Sequence, residues 1–472
     1  MKKKDFFKMV FAIAIPVALQ NLLTTTGSMV DTMMIGSIGE TSVGAVGLCA
    51  QFSSLLFSCY WGIVGGGTLF FSQYWGSKDD DGINRSFGMM TSTMLLISAV
   101  FAVMATCFPN VVMSIYTDKD VYKEIGVKYL RIVGYSYPLM VYSTASSTLL
   151  RSTDKVKIPL IASIASVCTN MFLNWVLIYG HLGFEAMGVE GAATATLCAS
   201  VVNVLVNVIL ARASGYPYLF TLRRHFIWSK AGIKLFFGKC FPIILNELAM
   251  GTSTLIINIV LGRQATEAIA ALAVFRTFEG VVISFFSGFS SASSVLVGNR
   301  VGAGEHEEAF RIANRCIYLC ASIIFVVVVG IYALRTPLLH VMGLKSEAFA
   351  YATSMLLVYC IIAVLRMSNW ISNDTSRASG DSITGTCMEI VFMYVMNIPL
   401  ICLAGLVWKL PFIVVFIFTY IDEPIRFVLM QIHMHSGGWV RPVTEKGLAT
   451  LPEFRQNHPL KFFFTRLGLK KS

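Results

Sequence analysis

The sequence predicts an all-α membrane protein with twelve transmembrane helices in two six-helix lobes, related by a pseudo-two-fold axis along the membrane normal. Three observations lead to this prediction: an apolar composition, twelve apolar stretches, and an internal repeat. Of the 472 residues, 56% are hydrophobic and 13% are charged. Soluble proteins carry about 25% charged residues. So much apolar surface needs a lipid bilayer to cover it.

The apolar stretches are each long enough to cross a bilayer as a helix, which takes about 20 residues. Polar breaks such as 76–81 and 302–305 separate them. The predicted helices are 7–35, 44–75, 87–109, 125–150, 158–180, 188–212, 234–261, 268–298, 310–334, 350–375, 382–407 and 409–433. They divide the chain into an N-lobe (1–212, helices 1–6), an inter-lobe loop (213–233), a C-lobe (234–433, helices 7–12) and a tail (434–472).

The distribution of Lys and Arg predicts the orientation, because these residues collect on the cytoplasmic side of membrane proteins. With the N-terminus inside, Lys2, Lys78, Arg151 and the basic 213–233 loop are cytoplasmic, whereas few basic residues, among them Lys345, lie outside. We therefore expect a multi-pass protein of the cell (inner or plasma) membrane with both termini cytoplasmic. The net charge of +11 then reflects membrane topology, not nucleic-acid binding. The basic tail is expected to lie near anionic lipid head groups.

An internal repeat relates the two lobes. Identical residues recur at a constant offset of 226 positions across six helices without a gap. The matched pairs are Pro16 and Pro242, Gly36 and Gly262, Ala45 and Ala271, Gly76 and Gly302, Arg85 and Arg311, and Arg151 and Arg377. Because six helices is an even number, both copies enter the membrane in the same direction, which predicts a substrate path between the lobes. Two lobes that separate alternately are typical of a transporter.

Polar residues in the first predicted helix stand out because polar side chains in hydrocarbon should face a cavity or another helix. Gln20 and Asn21 lie before the acid Asp31, which has no basic residue near it in sequence. Oxygen ligands on later helices are the i, i+4 pair Asn170 and Asn174, and Thr196. With Asp31 they form either a small cation (Na⁺) site or an ordinary amide network.

The second lobe is richer in ionisable residues. Glu247, which follows Asn246, is the leading candidate for ion coupling there, and Asp374 is the second. Arg276 and Glu279 are three residues apart, so we expect a structural ion pair. Arg366 neutralises either Glu389 or Glu247. The 422–424 segment, Asp-Glu-Pro, either faces the cavity or marks a broken helix. The substrate-cavity candidates are Gln20, Asn21, Asn246, Glu279, Arg366 and Glu389.

Several phrases together resemble the multidrug and toxic compound extrusion (MATE) family over about residues 8–440. They are 15–16 (Ile-Pro), 30–36 (Val-Asp-Thr-Met-Met-Ile-Gly), 65–76, 295–304, Arg377 with 380–381 (Gly-Asp), and Asn170 with Asn174. The resemblance implies a V-shaped twelve-helix antiporter that expels organic cations or other amphipathic compounds in exchange for protons or sodium ions.

By position, Asp31 matches the first-helix acid of the MATE family, and Asn170 and Thr196 match its cation-site partners. The sequence departs at Asn174, where many members have Asp. Glu247 resembles the seventh-helix glutamate of some members but lies about one turn nearer the proline.

The alternative in the same broad superfamily is a flippase for lipid-linked oligosaccharides or lipids. A pyrophosphate group would favour several inward-facing Arg or Lys residues, and the predicted spans hold mainly Arg276 and Arg366. A membrane enzyme finds no support, because no nucleophile or metal-ligand pattern occurs. Intramembrane acids argue against a non-transporting receptor or scaffold. We expect no cofactor beyond the coupling ion, a small organic substrate, and a functional monomer.

Overall fold

The computed structural model describes residues 3–263, 266–341 and 346–458. The secondary structure elements of these residues are all helices, and none of them is a β-strand. Lys2, Lys345 and the 459–472 part of the predicted tail lie outside the described residues. The helices of the first half are α1 (Lys3–Gly36), α2 (Glu40–Ser77), α3 (Asp80–Cys107), α4 (Pro109–Tyr116), α5 (Asp120–Val133), α6 (Ser136–Ser152), α7 (Lys157–Tyr179), α8 (Gly188–Ala213) and α9 (Leu222–His225).

The second half begins with two long helices and ends with several short ones. Its helices are α10 (Lys230–Leu261), α11 (Thr266–Gly302), α12 (His306–Ala333), α13 (Arg335–Val341), α14 (Ser346–Ala378), α15 (Thr384–Val391), α16 (Ile398–Cys402), α17 (Phe412–Phe418), α18 (Glu423–Ser436) and α19 (Glu445–Asn457). Two π-helical turns, Phe392–Asn397 and Leu403–Val407, flank α16.

Ten helical segments in the described chain are long and apolar enough to cross a membrane. The two other predicted spans, 125–150 and 409–433, are not single helices. The first divides into α5 and α6 beside Pro138, and the second divides into α17 and α18 beside Pro424. Proline lacks the amide hydrogen and its ring clashes with the carbonyl four residues earlier. Here those carbonyls belong to Gly134 and Tyr420, where the helices are interrupted.

The described chain forms two compact units. The N-unit comprises residues 15–71 and 79–240. In it α7 packs against α8, and α3 against α6. The C-unit comprises the N-terminal residues up to Ala14, the segment 72–78, and the described residues from Phe241 onward. In it α14 packs against α11, α12 and α18, which brings the charged residues of α14 next to those of its neighbours.

Two glycines at the same repeat position allow backbones to meet inside the C-unit. A Cβ on Gly76 would lie 1.9 Å from the carbonyl oxygen of Asn299, and one on Gly302 would lie 2.0 Å from that of Gln73. Because Gln73 and Asn299 are also 226 positions apart, the same contact occurs twice with the roles exchanged. Any larger residue would separate the ends of α2 and α11.

The beginning of the predicted tail folds against the C-unit. Trp439 is fully buried, and the amide of Arg441 donates to the carbonyl of Ser379. Thr444 caps α19 and also donates to the carbonyl of Gly302. The His306 ring bonds the carbonyl of Gly447 at 2.8 Å. Residues 437–457 therefore cover the ends of α11, α12 and α14.

Candidate functional site

The structure joins three of the four predicted cation-site residues in the N-unit. The side-chain nitrogen of Asn174 donates to the carboxylate of Asp31 at 2.6 Å and to the amide oxygen of Asn170 at 3.3 Å. The two asparagines are one turn apart on α7, so their side chains share a face. Asp31 comes from α1, and the contact links the two helices.

The Thr196 hydroxyl donates to the carbonyl of Ala192 on its own helix, at 3.0 Å. The Tyr129 hydroxyl on α5 is hydrogen-bonded to Thr196 and lies within electrostatic range of Asp31. Tyr129 was not predicted from the sequence, because an aromatic residue on an amphipathic helix is normally interpreted as a packing residue.

The amide orientation decides what the N-unit site can hold. The Asn174 side chain is fully buried, and its oxygen has no hydrogen-bond partner among the described residues. Its nitrogen stabilises the Asp31 carboxylate by donating a hydrogen bond. If the amide turned its oxygen toward the carboxylate, the two acceptors would need a cation or a proton between them. The described site thus satisfies Asp31 with a neutral donor where a second acid is absent.

Gln20 and Asn21 are half-buried residues of α1. They precede Asp31 by about three turns, which corresponds to about 15 Å along a helix. These two predicted cavity residues therefore belong to a different level of the membrane from the Asp31 group.

In the C-unit the predicted acids gather around one arginine. The guanidinium of Arg377 lies 3.6 Å from a carboxylate oxygen of Glu247, 3.6 Å from Asp374 and 3.5 Å from Glu389. Asp374 also accepts from the Ser290 hydroxyl at 2.5 Å and from the indole of Trp370 at 2.9 Å. We call Arg377, Glu247, Asp374 and Glu389 the Arg377 cluster.

Glu389 is the most completely hydrogen-bonded acid of the Arg377 cluster. It accepts from Asn246 at 3.1 Å, from Asn373 at 2.9 Å and from Arg426 at 3.1 Å, besides its contact with Arg377. Asn246, predicted to face a substrate cavity, is buried and serves to hold this carboxylate.

A second group of charges surrounds Glu279. Arg276 lies 2.6 Å from its carboxylate, Arg366 makes a close ion pair with it, and the Tyr420 hydroxyl donates at 3.2 Å. The predicted Arg276–Glu279 pair is therefore present. Both predicted partners of Arg366 were wrong, because its ion pairs are with Glu279 and, at 3.8 Å, with Glu423. Helix packing places α11 and α18 beside α14 at that level.

Arg426 was missed by sequence reasoning. It lies on α18 within ion-pair distance of Glu389 at 3.1 Å, Asp422 at 3.2 Å and Glu423 at 3.9 Å, and so connects the two groups. Of the two alternatives for 422–424, the broken helix is observed, and both acids there are buried. The available signal was the spacing of three and four residues between these acids and Arg426, which brings them to one helix face.

Comparison with known proteins identifies the family. The MatE family model matches residues 16–176 and 242–403. This chain belongs to the MatE family. The two matches begin at Pro16 and Pro242, so the family model finds the same offset of 226 as the internal repeat.

Relatives of this MatE protein include multidrug resistance proteins. It is 25% identical over 400 residues to the "Probable multidrug resistance protein YoeA" of Bacillus subtilis, covering 84% of this chain and 86% of that protein. It is 22% identical over 440 residues to the "Probable multidrug resistance protein NorM" of Thermotoga maritima, covering 92% and 93%.

Solved structures show the same fold. A MATE in complex with MaL6 matches with a TM-score of 0.80 at 17% identity, covering 91% of this chain and 97% of that one. The Vibrio cholerae MATE transporter VcmN in the bent form matches with a TM-score of 0.82 at 15% identity, covering 92% and 97%. The twelve-helix, two-lobe fold predicted from the sequence is confirmed.

Ionisable residues are divided unevenly in this MatE protein. The linked C-unit groups contain six acids and four arginines, a charge of −2 when all are ionised: Glu247, Glu279, Asp374, Glu389, Asp422 and Glu423, with Arg276, Arg366, Arg377 and Arg426. Uncompensated charge in a membrane is costly. Protons or other cations would remove that cost.

Proposed function

We propose that this MatE protein is a secondary active transporter that exports amphipathic or cationic organic compounds in exchange for protons or sodium ions by alternating access. The observation that carries the proposal is the excess of acids over arginines in the C-unit. A site with surplus negative charge in a low-dielectric environment attracts protons, metal cations and organic cations alike. Competition for common acids couples the two fluxes in an antiporter of this kind.

Glu247 and Asp374 are the coupling acids in this proposal. Their contacts with Arg377, both 3.6 Å, are longer than hydrogen bonds, and the short hydrogen bonds that Asp374 accepts come from the neutral Ser290 and Trp370. Glu279 and Glu389, in contrast, each have a short contact with an arginine. The Glu247 side chain also keeps 23% of its surface exposed. An acid that is loosely paired and accessible can exchange its cation at least cost. Asp31, with Asn170, Asn174 and Thr196, is the corresponding candidate in the N-unit.

The arginines of the C-unit favour this proposal over a flippase for pyrophosphate-linked lipids. Each of Arg276, Arg366, Arg377 and Arg426 is already ion-paired to at least one buried or half-buried acid. A phosphate group would have to compete with those acids. The proposed substrates are therefore amphipathic or cationic organic compounds. We further propose that the protein works as a monomer in the cell membrane with both termini in the cytoplasm.

Transport in everted membrane vesicles tests the proposal. Ethidium should be taken up when a proton or sodium gradient is imposed, and its addition should dissipate that gradient. Asp31→Asn and Glu247→Gln should each reduce gradient-driven uptake. Glu124→Gln is the matched control, because Glu124 is an exposed acid paired with Lys128 at the surface. The site assignment would be wrong if both variants, at normal expression, transported as the wild type does. Binding of a lipid-linked precursor without any drug-dependent ion flux would instead favour the flippase.

A further inference from the structure

Arg377 is the most loosely held arginine of the C-unit charge groups. Its three carboxylate contacts fall between 3.5 and 3.6 Å. Arg426, by comparison, approaches Glu389 at 3.1 Å and Asp422 at 3.2 Å. The Nε atom of Arg377 is buried and has no hydrogen-bond partner among the described residues. The guanidinium therefore lies between three acids, and its hydrogen bond to Glu389 is long, at 3.5 Å.

The acids around Arg377 fall on two sides. Glu389 on α15 is held by Asn246, Asn373 and Arg426, so it keeps its position whether or not Arg377 is close. The alternative partners are Glu247 on α10 and Asp374 on α14, the acids proposed to bind the coupling cation. Arg377 contacts both sides at nearly equal distance. A movement of about 1 Å toward either side is therefore enough to convert a long ion-pair contact into a short hydrogen bond.

The close approach of α15 to α14 keeps Glu389 within reach. A Cβ on Gly385 would lie 2.0 Å from the side-chain oxygen of Asn373. Glycine at this position therefore lets Asn373 reach the Glu389 carboxylate. The support for Glu389 is built into the packing of the two helices and does not depend on Arg377.

Resting on the proposed function, we propose that Arg377 is a tethered cation that competes with the transported cations for Glu247 and Asp374. When these acids bind no external cation, the guanidinium moves toward them and compensates their charge. When a cation binds, like-charge repulsion drives the guanidinium toward Glu389. The acids are then never left unpaired in the membrane, which lowers the cost of releasing the cation. Arg377 thus sets the cation affinity and acts as a positioning residue.

The N-unit supplies a matched control for this role. Arg151 occupies the same repeat position as Arg377. The positions that correspond to Glu247, Asp374 and Glu389 hold neutral residues there, Asn21, Thr148 and Ser163. The Nε atom of Arg151 donates a hydrogen bond to the carbonyl of Ser147 at 3.3 Å. The same substitution can therefore be made at an arginine whose equivalent neighbours carry no charge.

Calorimetric binding of tetraphenylphosphonium to the purified full-length protein in nanodiscs, at fixed pH and salt, tests the inference. Arg377→Gln should tighten binding about tenfold or more, because a competing unit charge is removed from a partly buried site. Glu389→Gln should weaken binding by a similar factor, because Arg377 then loses the acid that holds it away from Glu247 and Asp374. In the double variant the effect of Glu389→Gln should fall well below its effect in the wild type, because the part that acts through Arg377 is gone and the ion pair of Glu389 with Arg426 is the remaining change. Arg151→Gln should bind as the wild type does.

The outcomes separate the inference from the proposed function. If wild-type protein neither binds the organic cation nor couples its transport to an ion gradient, the proposed function fails and the inference fails with it. If the wild type binds and Arg377→Gln matches Arg151→Gln, the inference alone is overturned. It is also overturned if Glu389→Gln keeps its full effect in the Arg377→Gln background, because the direct loss of a negative charge would then explain the weaker cation binding. If Arg377→Gln does not fold, Arg377→Met applies the same test, because it also removes the competing charge with an unbranched side chain, and the variant should bind the organic cation more tightly than the wild type.

Discussion

The side-chain nitrogen of Asn174 donates a hydrogen bond of 2.6 Å to the carboxylate of Asp31, and this bond joins α7 to α1. At this position the chain has an amide in place of the second acid that the family resemblance implies. The amide satisfies the carboxylate without bringing a charge of its own. The N-unit therefore holds one acid at this site, and the C-unit holds the surplus.

Asn174→Asp should create a sodium-sensitive N-unit site. Two carboxylates at hydrogen-bond distance cannot both remain ionised without a cation between them, and the oxygens of Asp31, Asn170 and the new acid suit a small cation. Transport of ethidium in vesicles at constant pH should become dependent on sodium concentration. Asn207→Asp is the control, because Asn207 is an equally buried amide on α8 that bonds Asn203. If Asn174→Asp showed the same sodium dependence as the wild type, the interpretation of Asp31, Asn170 and residue 174 as a cation site would be contradicted.

Gly385→Ala should destabilise the protein. The added Cβ would meet the Asn373 side-chain oxygen at 2.0 Å, so either Asn373 would have to move and give up its hydrogen bond to Glu389, or α14 and α15 would have to separate. Overpacking of this kind costs about 1–3 kcal/mol. Thermal unfolding can be followed with a thiol-reactive dye, because Cys240, Cys316 and Cys320 are buried and free in the folded chain.

The control for Gly385→Ala is Gly330→Ala on α12. A Cβ there meets nothing within 4 Å, and alanine is the better helix former by about 1 kcal/mol. Gly330→Ala should therefore unfold at the wild-type temperature or slightly above it. Equal unfolding temperatures for the two variants would show that the helices adjust without cost.

Arg366→Met should be far more damaging than Arg276→Met. Arg366 is the shared partner of Glu279 and Glu423, whose side chains are 4% and 9% exposed, so its loss weakens the charge compensation of two buried acids at once and leaves Glu279 with the partly exposed Arg276 as its ion-pair partner. Breaking a buried ion pair in this way costs about 3–5 kcal/mol. The side chain of Arg276 is 39% exposed, and without it Glu279 keeps Arg366 and Tyr420. The dye assay compares the two, and similar unfolding temperatures would contradict a structural role for Arg366.

Asp381→Asn should remove a pH-dependent part of the stability. This residue lies in the loop between α14 and α15, outside the membrane helices. Burial alone would raise the pKa of Asp381, but the hydrogen bond from His433 and the charge of Arg441 outweigh it and hold the pKa below its ordinary value of 3.8. A depressed pKa in the folded state means that the stabilisation is present above the unfolded-state value and is lost as the pH falls through the folded-state value.

The wild type should therefore unfold at a higher temperature than Asp381→Asn at neutral pH, by the equivalent of about 1.5–3 kcal/mol for a hydrogen-bonded charge. The difference should shrink as the pH is lowered below 3.8. Thr384→Ala removes the neutral hydroxyl that donates to the same carboxylate at 3.0 Å, and it should cost less while leaving the pH dependence in place. A stability difference between wild type and Asp381→Asn that does not vary with pH would contradict this assignment.

Some of the candidate site could be predicted because it depends on spacing within one helix. Asn170 and Asn174 share a face of α7, and Arg276 pairs with Glu279, since residues three or four apart are neighbours on any helix. The partners of Arg366 could not be predicted, because an arginine between helices can reach acids on each of them. Only the packing of α14 against α11 and α18 selects Glu279 and Glu423.

The sequence by itself determined the membrane fold, because composition, helix length and an offset of 226 depend on residue types and their order alone. The interruptions beside Pro138 and Pro424, and the links among Arg377, Arg426 and their acids, were decided by the tertiary structure. Charges far apart in the chain interact only when the rotation and depth of their helices bring side chains within a few ångströms. Linear order does not contain that information, and this is why the asymmetry of acids was visible in the sequence while their pairing was not.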